Sequence, residues 1–100
     1  MNNHQKLLNL LGLAQRAGKI ISGEEQVVKA IQHQEVQLVF LATDAASNLT
    51  KKILDKSQSY QVEVAHLFST QELSIAVGRA RKVLAISDAG FTKKMRSLMQ

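Results

Sequence analysis

The segment Ser22-Gly23-Glu24-Glu25-Gln26-Val27-Val28-Lys29 concentrates residue types through which a protein can read a polar ligand. Ser22 and Glu25 have the S-x-x-E spacing of a capping box, which opens a helix. Gly23 then falls in the first turn, where a missing side chain lets another backbone approach and unpaired N–H groups attract phosphate. Glu25 and Gln26 project from the same turn, and Lys29 lies one turn further along the face. Polar side chains at such a helix start can read guanine edges in an opened RNA groove, backed by the lysine. The same residues also suit an ordinary capping box with a Glu25–Lys29 ion pair, worth about 0.2–0.5 kcal/mol. Both readings stand on this segment alone.

The remaining chemical candidates are weaker. Gly12-Leu-Ala-Gln-Arg-Ala-Gly18-Lys19-Ile20 has five residues between its glycines where a P-loop has four, and Ile20 replaces the hydroxyl that holds magnesium. A helix C-cap entering a strand explains it better than nucleotide binding. His4, His33 and His66 include no i, i+3 or i, i+4 pair that would place two imidazoles on one helical face. The absence of cysteine excludes disulfides and thiolate zinc sites, and fits a reducing compartment. Serine, histidine and aspartate occur without a G-x-S-x-G nucleophile elbow. The sequence thus nominates no catalytic residue, no metal and no cofactor.

The elements that must position these residues follow from periodicity. Leu7, Leu8, Leu10, Leu11 and Ala14 have helical spacing over residues 4–17, and Ala17-Gly18 suits a left-handed stop. Lys19-Ile-Ile21 is short and β-branched, and a second helix spans about residues 23–33 with Val27, Val28, Ala30 and Ile31 inward. Val36–Thr43 reads as a strand buried on both faces, and residues 46–57 as a helix with Lys51, Lys52 and Lys56 outward. Residues 62–67 form another strand, then Ser69-Thr-Gln-Glu72 a second capping box before a helix stopped by Gly78. Val83–Ile86 is a fourth buried strand, and Asp88 caps a last helix whose Phe91, Met95, Leu98 and Met99 share one face. Four short strands alternating with helices predict an α/β fold, a three-layer α/β/α sandwich.

Composition bounds the function. One hundred residues, 45% of them hydrophobic, make a single domain over residues 1–100. Surface scaling gives about 5,600 Å² exposed when folded against about 16,000 Å² unfolded, enough burial for an unassisted fold. The net charge of +5 suggests an anionic partner. That excess is uneven: residues 79–100 carry six basic side chains against Asp88 alone, whereas residues 35–78 carry three against five acids. Phe40, Tyr60, Phe68 and Phe91 are the only aromatic residues, too few for a base-stacking sheet platform. Binding to nucleic acid must therefore use helix ends, loops and basic side chains. The longest apolar run, Leu38–Ala42, is far short of the ~20 residues that span a bilayer. With no secretory signal pattern, the expectation is a cytoplasmic protein without membrane contact.

Several motifs in a fixed order then carry a resemblance over nearly the whole chain. They are Leu11-Gly-Leu-Ala-Gln-Arg-Ala-Gly-Lys19, Ser22-Gly-Glu-Glu-Gln-Val-Val-Lys-Ala-Ile31, Val39-Phe-Leu-Ala-Thr-Asp44, Ser47-Asn-Leu-Thr-Lys-Lys52, Thr70-Gln-Glu-Leu73 and Ala85-Ile-Ser-Asp-Ala-Gly-Phe91. In these the chain resembles the kink-turn RNA-binding ribosomal protein family, the L7Ae and L30e group, and its small bacterial members in particular. The resemblance implies a four-stranded mixed sheet and recognition of tandem sheared G·A pairs through a G-x-N-E-x-x-K helix start. Residue by residue, that pattern falls on Gly23, Glu25, Gln26 and Lys29, with the next basic position on His33. The family's loop that covers an extruded base falls on Leu67, Phe68 and Ser69.

Glu25 and Gln26 depart from the family's Asn and Glu. Gln26 keeps a carbonyl acceptor but loses the charge, and Glu25 loses an amide donor and adds an anion. The resemblance implies a monomeric, non-catalytic, ribosome-associated protein that binds ribosomal or other kinked RNA, with ribosomal proteins as further partners. Arg16, Lys19 and Arg79 are the candidate phosphate contacts. The alternative is a protein-interaction or ribosome-assembly module of the same fold that has lost standard kink-turn recognition.

Overall fold

The computed structural model describes residues 2–100, which form α1 (Asn3–Arg16), β1 (Ile20–Ser22), α2 (Glu24–Gln32), β2 (Leu38–Leu41), α3 (Ser47–Ser59), β3 (Glu63–Ala65), α4 (Thr70–Val77), β4 (Val83–Ile86) and α5 (Ala89–Met99). The strands lie in the order β1-β4-β2-β3. Pairing is antiparallel for β1 with β4 and β2 with β4, and parallel for β2 with β3, so the sheet is mixed. The exposed surface of 5746 Å² lies close to the ~5,600 Å² expected for this mass.

Alternation along the strands divides the core between the two faces of the sheet. Leu38 and Phe40 of β2, with Leu84 and Ile86 of β4, face Leu7 and Leu11 of α1, Leu73 and Val77 of α4, and Met95 of α5. Val39, Leu41, Val83 and Ala85 face the other way, onto Val27, Val28 and Ile31 of α2 and Ile53 of α3. β2 and β4 are buried along their full length, as strands covered on both faces must be. The three-layer α/β/α sandwich is therefore the observed fold.

Boundaries differ where loops take over from strands. Residues 36–43 and 62–67 contribute strands of only four and three residues, Leu38–Leu41 and Glu63–Ala65. The α1 stop is a Schellman closure: Gly18 takes φ +73°, and the N–H groups of Gly18 and Lys19 donate to the carbonyls of Gln15 and Ala14. The second capping box forms as read. Ser69 Oγ accepts from Glu72 N at 3.1 Å, and Ser69 N donates to the Glu72 carboxylate at 3.0 Å. Asp88 caps α5 through Phe91 N at 2.8 Å.

The first capping box does not form. Gly23 is the N-cap of α2, no side chain caps that helix, and Ser22 Oγ instead accepts from Arg81 Nε at 2.8 Å. A guanidinium donor has captured the hydroxyl, which the S-x-x-E spacing cannot reveal.

Candidate nucleic-acid interface

β1, β2 and β3 run in the same direction, and each is followed by a helix. Their carboxyl ends therefore place the N-termini of α2, α3 and α4 at one end of the sheet, where β4 also enters. The first turns of α2 and α3 carry no side-chain cap, so their unpaired N–H groups give that end a positive bias, whereas at α4 Ser69 and Asp44 accept from the N–H groups of Glu72 and Thr70.

Gly23 takes φ +94° and ψ 147°, a backbone region closed to other residue types. Its N–H donates to Val83 O at 3.3 Å, and its carbonyl accepts from Val27 N at 2.9 Å. A Cβ here would meet nothing within 4 Å, so the glycine is demanded by conformation, and open space remains above it. Beside it, Glu25, Gln26 and Lys29 are exposed on the first two turns of α2. Among the described residues no Glu25–Lys29 ion pair forms. The carboxylate that finds a lysine is that of Glu24, which meets Lys52 Nζ of α3 at 2.9 Å.

Next to this turn lies a cleft of about 550 Å³. Gly23 and Glu24 form one wall, Asn48, Leu49 and Lys52 of α3 a second, and Thr70 with Ala80–Val83 close it. The loop carrying Arg81 is fixed from both sides. Ser74 Oγ accepts from Arg81 N at 3.0 Å and donates to Arg81 O at 3.3 Å, while Arg81 Nη1 donates to Ala80 O at 2.8 Å. Thr70 is held by Asp44, whose carboxylate accepts from its N–H at 2.8 Å and its hydroxyl at 2.7 Å. Those two donors, the hydroxyl first, hold the Asp44 carboxyl below its ordinary value. The Glu72 carboxyl is likewise lowered, first by Ser69 N–H and then by His4. The Lys52 ammonium is shifted upward by its hydrogen bond to Glu24 and the charge of that carboxylate.

The expected site residues fall into groups. Gly23, Glu25, Gln26 and Lys29 stand together on α2. Leu67 and Ser69 precede α4 at the same end, and Arg79 lies on the turn leading to the cleft. Phe68 departs from the expectation of a base-covering side chain. It is 1% exposed, stacked on Phe40 at 6.0 Å and met edge-on by His4 at 4.7 Å. Its ring anchors the loop from the core side, while Leu67 is the exposed apolar residue there.

Lys19, Arg16 and His33 lie elsewhere. The Lys19 carbonyl accepts from Ser87 N, at the end of β4 opposite to Val83, the residue that Gly23 meets. Arg16 lines a groove between α1 and α4, and His33 ends α2.

Sequence reasoning missed Lys52, Arg81, Lys82, Asn48 and Thr70 as cleft residues. The run Arg79-Ala-Arg-Lys82 directly before a buried strand was the available signal for two of them. Asp44 and Asp88 follow the antiparallel strands β2 and β4 and so lie at opposite ends of the sheet. Among the described residues no three His, Cys, Asp or Glu side chains are grouped to hold a metal, and no helix is long and apolar enough to cross a membrane.

The mixed sheet, the helices on both faces and the helix N-termini gathered beside a basic cleft define the class: an α/β/α sandwich with its polar site at one sheet end. The chain belongs to the ribosomal protein L7Ae/L30e/S12e/Gadd45 family, whose sequence profile matches residues 5–96. It is 46% identical over 98 residues to the RNA-binding protein YlxQ of Enterococcus faecium, covering 98% of this chain and 95% of that one. The YlxQ RNA-binding protein of Bacillus subtilis (strain 168) is 44% identical over 91 residues, covering 90% and 91%. A Bacillus halodurans protein of unknown function superposes with a TM-score of 0.89 at 47% identity, covering 94% of this chain and 96% of that one. A 15.5kD RNA binding protein from Giardia lamblia shares the fold at a TM-score of 0.79 and 20% identity, covering 96% and 89%.

Proposed function

We propose that this protein is a non-catalytic, cytoplasmic, ribosome-associated RNA-binding protein that recognises kinked, kink-turn-like RNA through the N-terminus of α2 and the neighbouring β3–α4 loop. The observation that carries this reading is the open first turn of α2. Gly23 has free space above it, and Gln26 and Lys29 face solvent beside a basic cleft. The YlxQ relatives, named as RNA-binding proteins, support the partner class.

In this reading Glu25 and Gln26 accept from base N–H groups at the kink, and Lys29 supports them from the next turn. Arg79, Arg81 and Lys82 take phosphates, which give affinity without sequence information. The cleft has room for one extruded base, with Leu49 and Val83 on its apolar side and Leu67 on the adjoining loop. Arg16, Lys19 and His33 stand away from this face, and the charges of Arg16 and Lys19 act on RNA only through long-range attraction.

The test is a titration of the protein with kink-turn RNA and with a control whose sheared G·A pairs are made Watson–Crick, each at two salt concentrations. Preference for the kinked RNA that persists at the higher salt is expected. Equal affinity for both RNAs refutes the reading and leaves a protein-interaction or assembly module of the same fold. That second reading draws on Ile75 and Leu13, 74% and 49% exposed beside the α1–α4 groove.

A further inference from the structure

The Glu24–Lys52 pair crosses the mouth of the cleft at 2.9 Å, joining the first turn of α2 to α3. Both side chains remain nearly half exposed, so the pair is reached by solvent and by any polyanion that approaches. An exposed ion pair of this kind adds little to stability. Its position makes it informative instead.

Lys52 stands on the same cleft as Arg81 and Lys82, where a free ammonium would be a further phosphate contact. Glu24 occupies that ammonium with a carboxylate of its own chain. Together with Glu25, it also places two anions over helix N–H groups that would otherwise attract phosphate.

We infer that Glu24 is a specificity-determining residue that serves as an intramolecular stand-in for phosphate. It keeps Lys52 neutralised and turns phosphates away from the α2 N-terminus, so that the open turn is left to neutral base edges. The inference rests on the RNA-binding reading above. It assigns to this chain a built-in sacrifice of affinity for discrimination, because any nucleic acid would gain from a free Lys52 but only a fitting one gains from the α2 turn.

The experiment compares wild type, Glu24→Gln, Lys52→Ala and the double variant, all at exposed positions where folding is checked by circular dichroism and thermal melting. The probes are poly(U), kink-turn RNA and its Watson–Crick control. Glu24→Gln is expected to bind poly(U) about two- to fivefold more tightly at low salt, and to steepen the log K against log salt slope by about 0.7, one added phosphate contact on a single strand. Its preference for kink-turn RNA over the control should fall. Lys52→Ala, which removes no phosphate contact but leaves the Glu24 carboxylate uncompensated beside the cleft, should weaken all three RNAs by repulsion, and the double variant should lose the steeper slope that Glu24→Gln acquires. An unchanged poly(U) slope in Glu24→Gln overturns the inference whatever the kinked RNA does. Wild-type indifference between kinked and control RNA overturns the functional reading separately, because the poly(U) slope does not depend on kink recognition.

Discussion

Replacing Gly23 by alanine tests the geometry on which the interface depends. The residue sits at φ +94° and ψ 147°, and a Cβ there has nothing within 4 Å to strike. The penalty is therefore conformational, about 1–3 kcal/mol for a side chain held in a sparsely populated backbone region. Against it stands the lower unfolded-state entropy of alanine, about 0.5–1 kcal/mol. The backbone cannot simply relax, since Gly23 is tied to Val83 and to Val27 by its N–H and carbonyl. A net loss of about 1–2 kcal/mol follows, which in a domain of this size lowers Tm by roughly 5–15 °C. Differential scanning calorimetry reads this directly, with Gly18→Ala as the comparison. That residue also has positive φ and open space, but it closes a Schellman motif, whose left-handed helical conformation other side chains reach at lower cost. Gly23→Ala should therefore destabilise more than Gly18→Ala, and should lose more RNA affinity than the fall in folded fraction explains. A Gly23→Ala variant as stable as wild type would refute the argument that conformation fixes this glycine.

Three further outcomes follow from particular groups. Ser57 is 1% exposed and its hydroxyl has no hydrogen-bond partner among the described residues, so Ser57→Ala should raise stability by about 1 kcal/mol in urea denaturation. Asp44 and Glu72 have carboxyls held below their ordinary values of 3.8 and 4.5. A depressed folded-state pKa contributes stability above the unfolded value and loses it as pH falls through the folded one. The contribution of these two groups to stability should thus be constant down to about pH 5 and decline below it, with a shallower acid limb in Asp44→Asn combined with Glu72→Gln. Finally, Lys29→Ala should weaken kinked-RNA binding by about 1–3 kcal/mol in a filter-binding titration, while Lys94→Ala alters mainly the salt slope. Equal losses would mark the attraction as non-specific.

The layers of the fold were legible because strand and helix periodicities switch cleanly along the chain. Val36–Thr43 and Val83–Ile86 read as strands buried on both faces, and they hold the two inner strands of the sheet, Leu38–Leu41 and Val83–Ile86. Helix ends marked by glycine or a capping box, Gly18, Gly78 and Ser69, were legible for the same local reason. The ends of α2 and α3 were less so. There Gln34 and Gln61 take φ +57° and +59°, positions where a glycine would have announced the turn. Tertiary partners were illegible altogether. Nothing near Ser22 in the chain betrays that Arg81, 59 residues away, claims its hydroxyl. Phe68 sits between exposed Leu67 and half-buried Ser69 and looks as accessible as they are until Phe40 and His4 are placed around it.

The charge distribution also changes meaning once the sheet directions are known. The sequence places its basic excess after residue 78, but that excess divides in space. Arg79, Arg81 and Lys82 precede β4 and stand at the end of the sheet with the helix N-termini, whereas Lys93 and Lys94 follow β4 onto α5. Arg96 is engaged with the Glu63 carboxylate at 2.8 Å and the Gln37 carbonyl at 3.0 Å. Only the first group can act with the α2 turn. That turn carries two carboxylates in a protein of net charge +5, so affinity for polyanions and the reading of bases are assigned to different elements. Their separation is what lets substitutions at Glu24 and Lys29 be told apart by salt dependence.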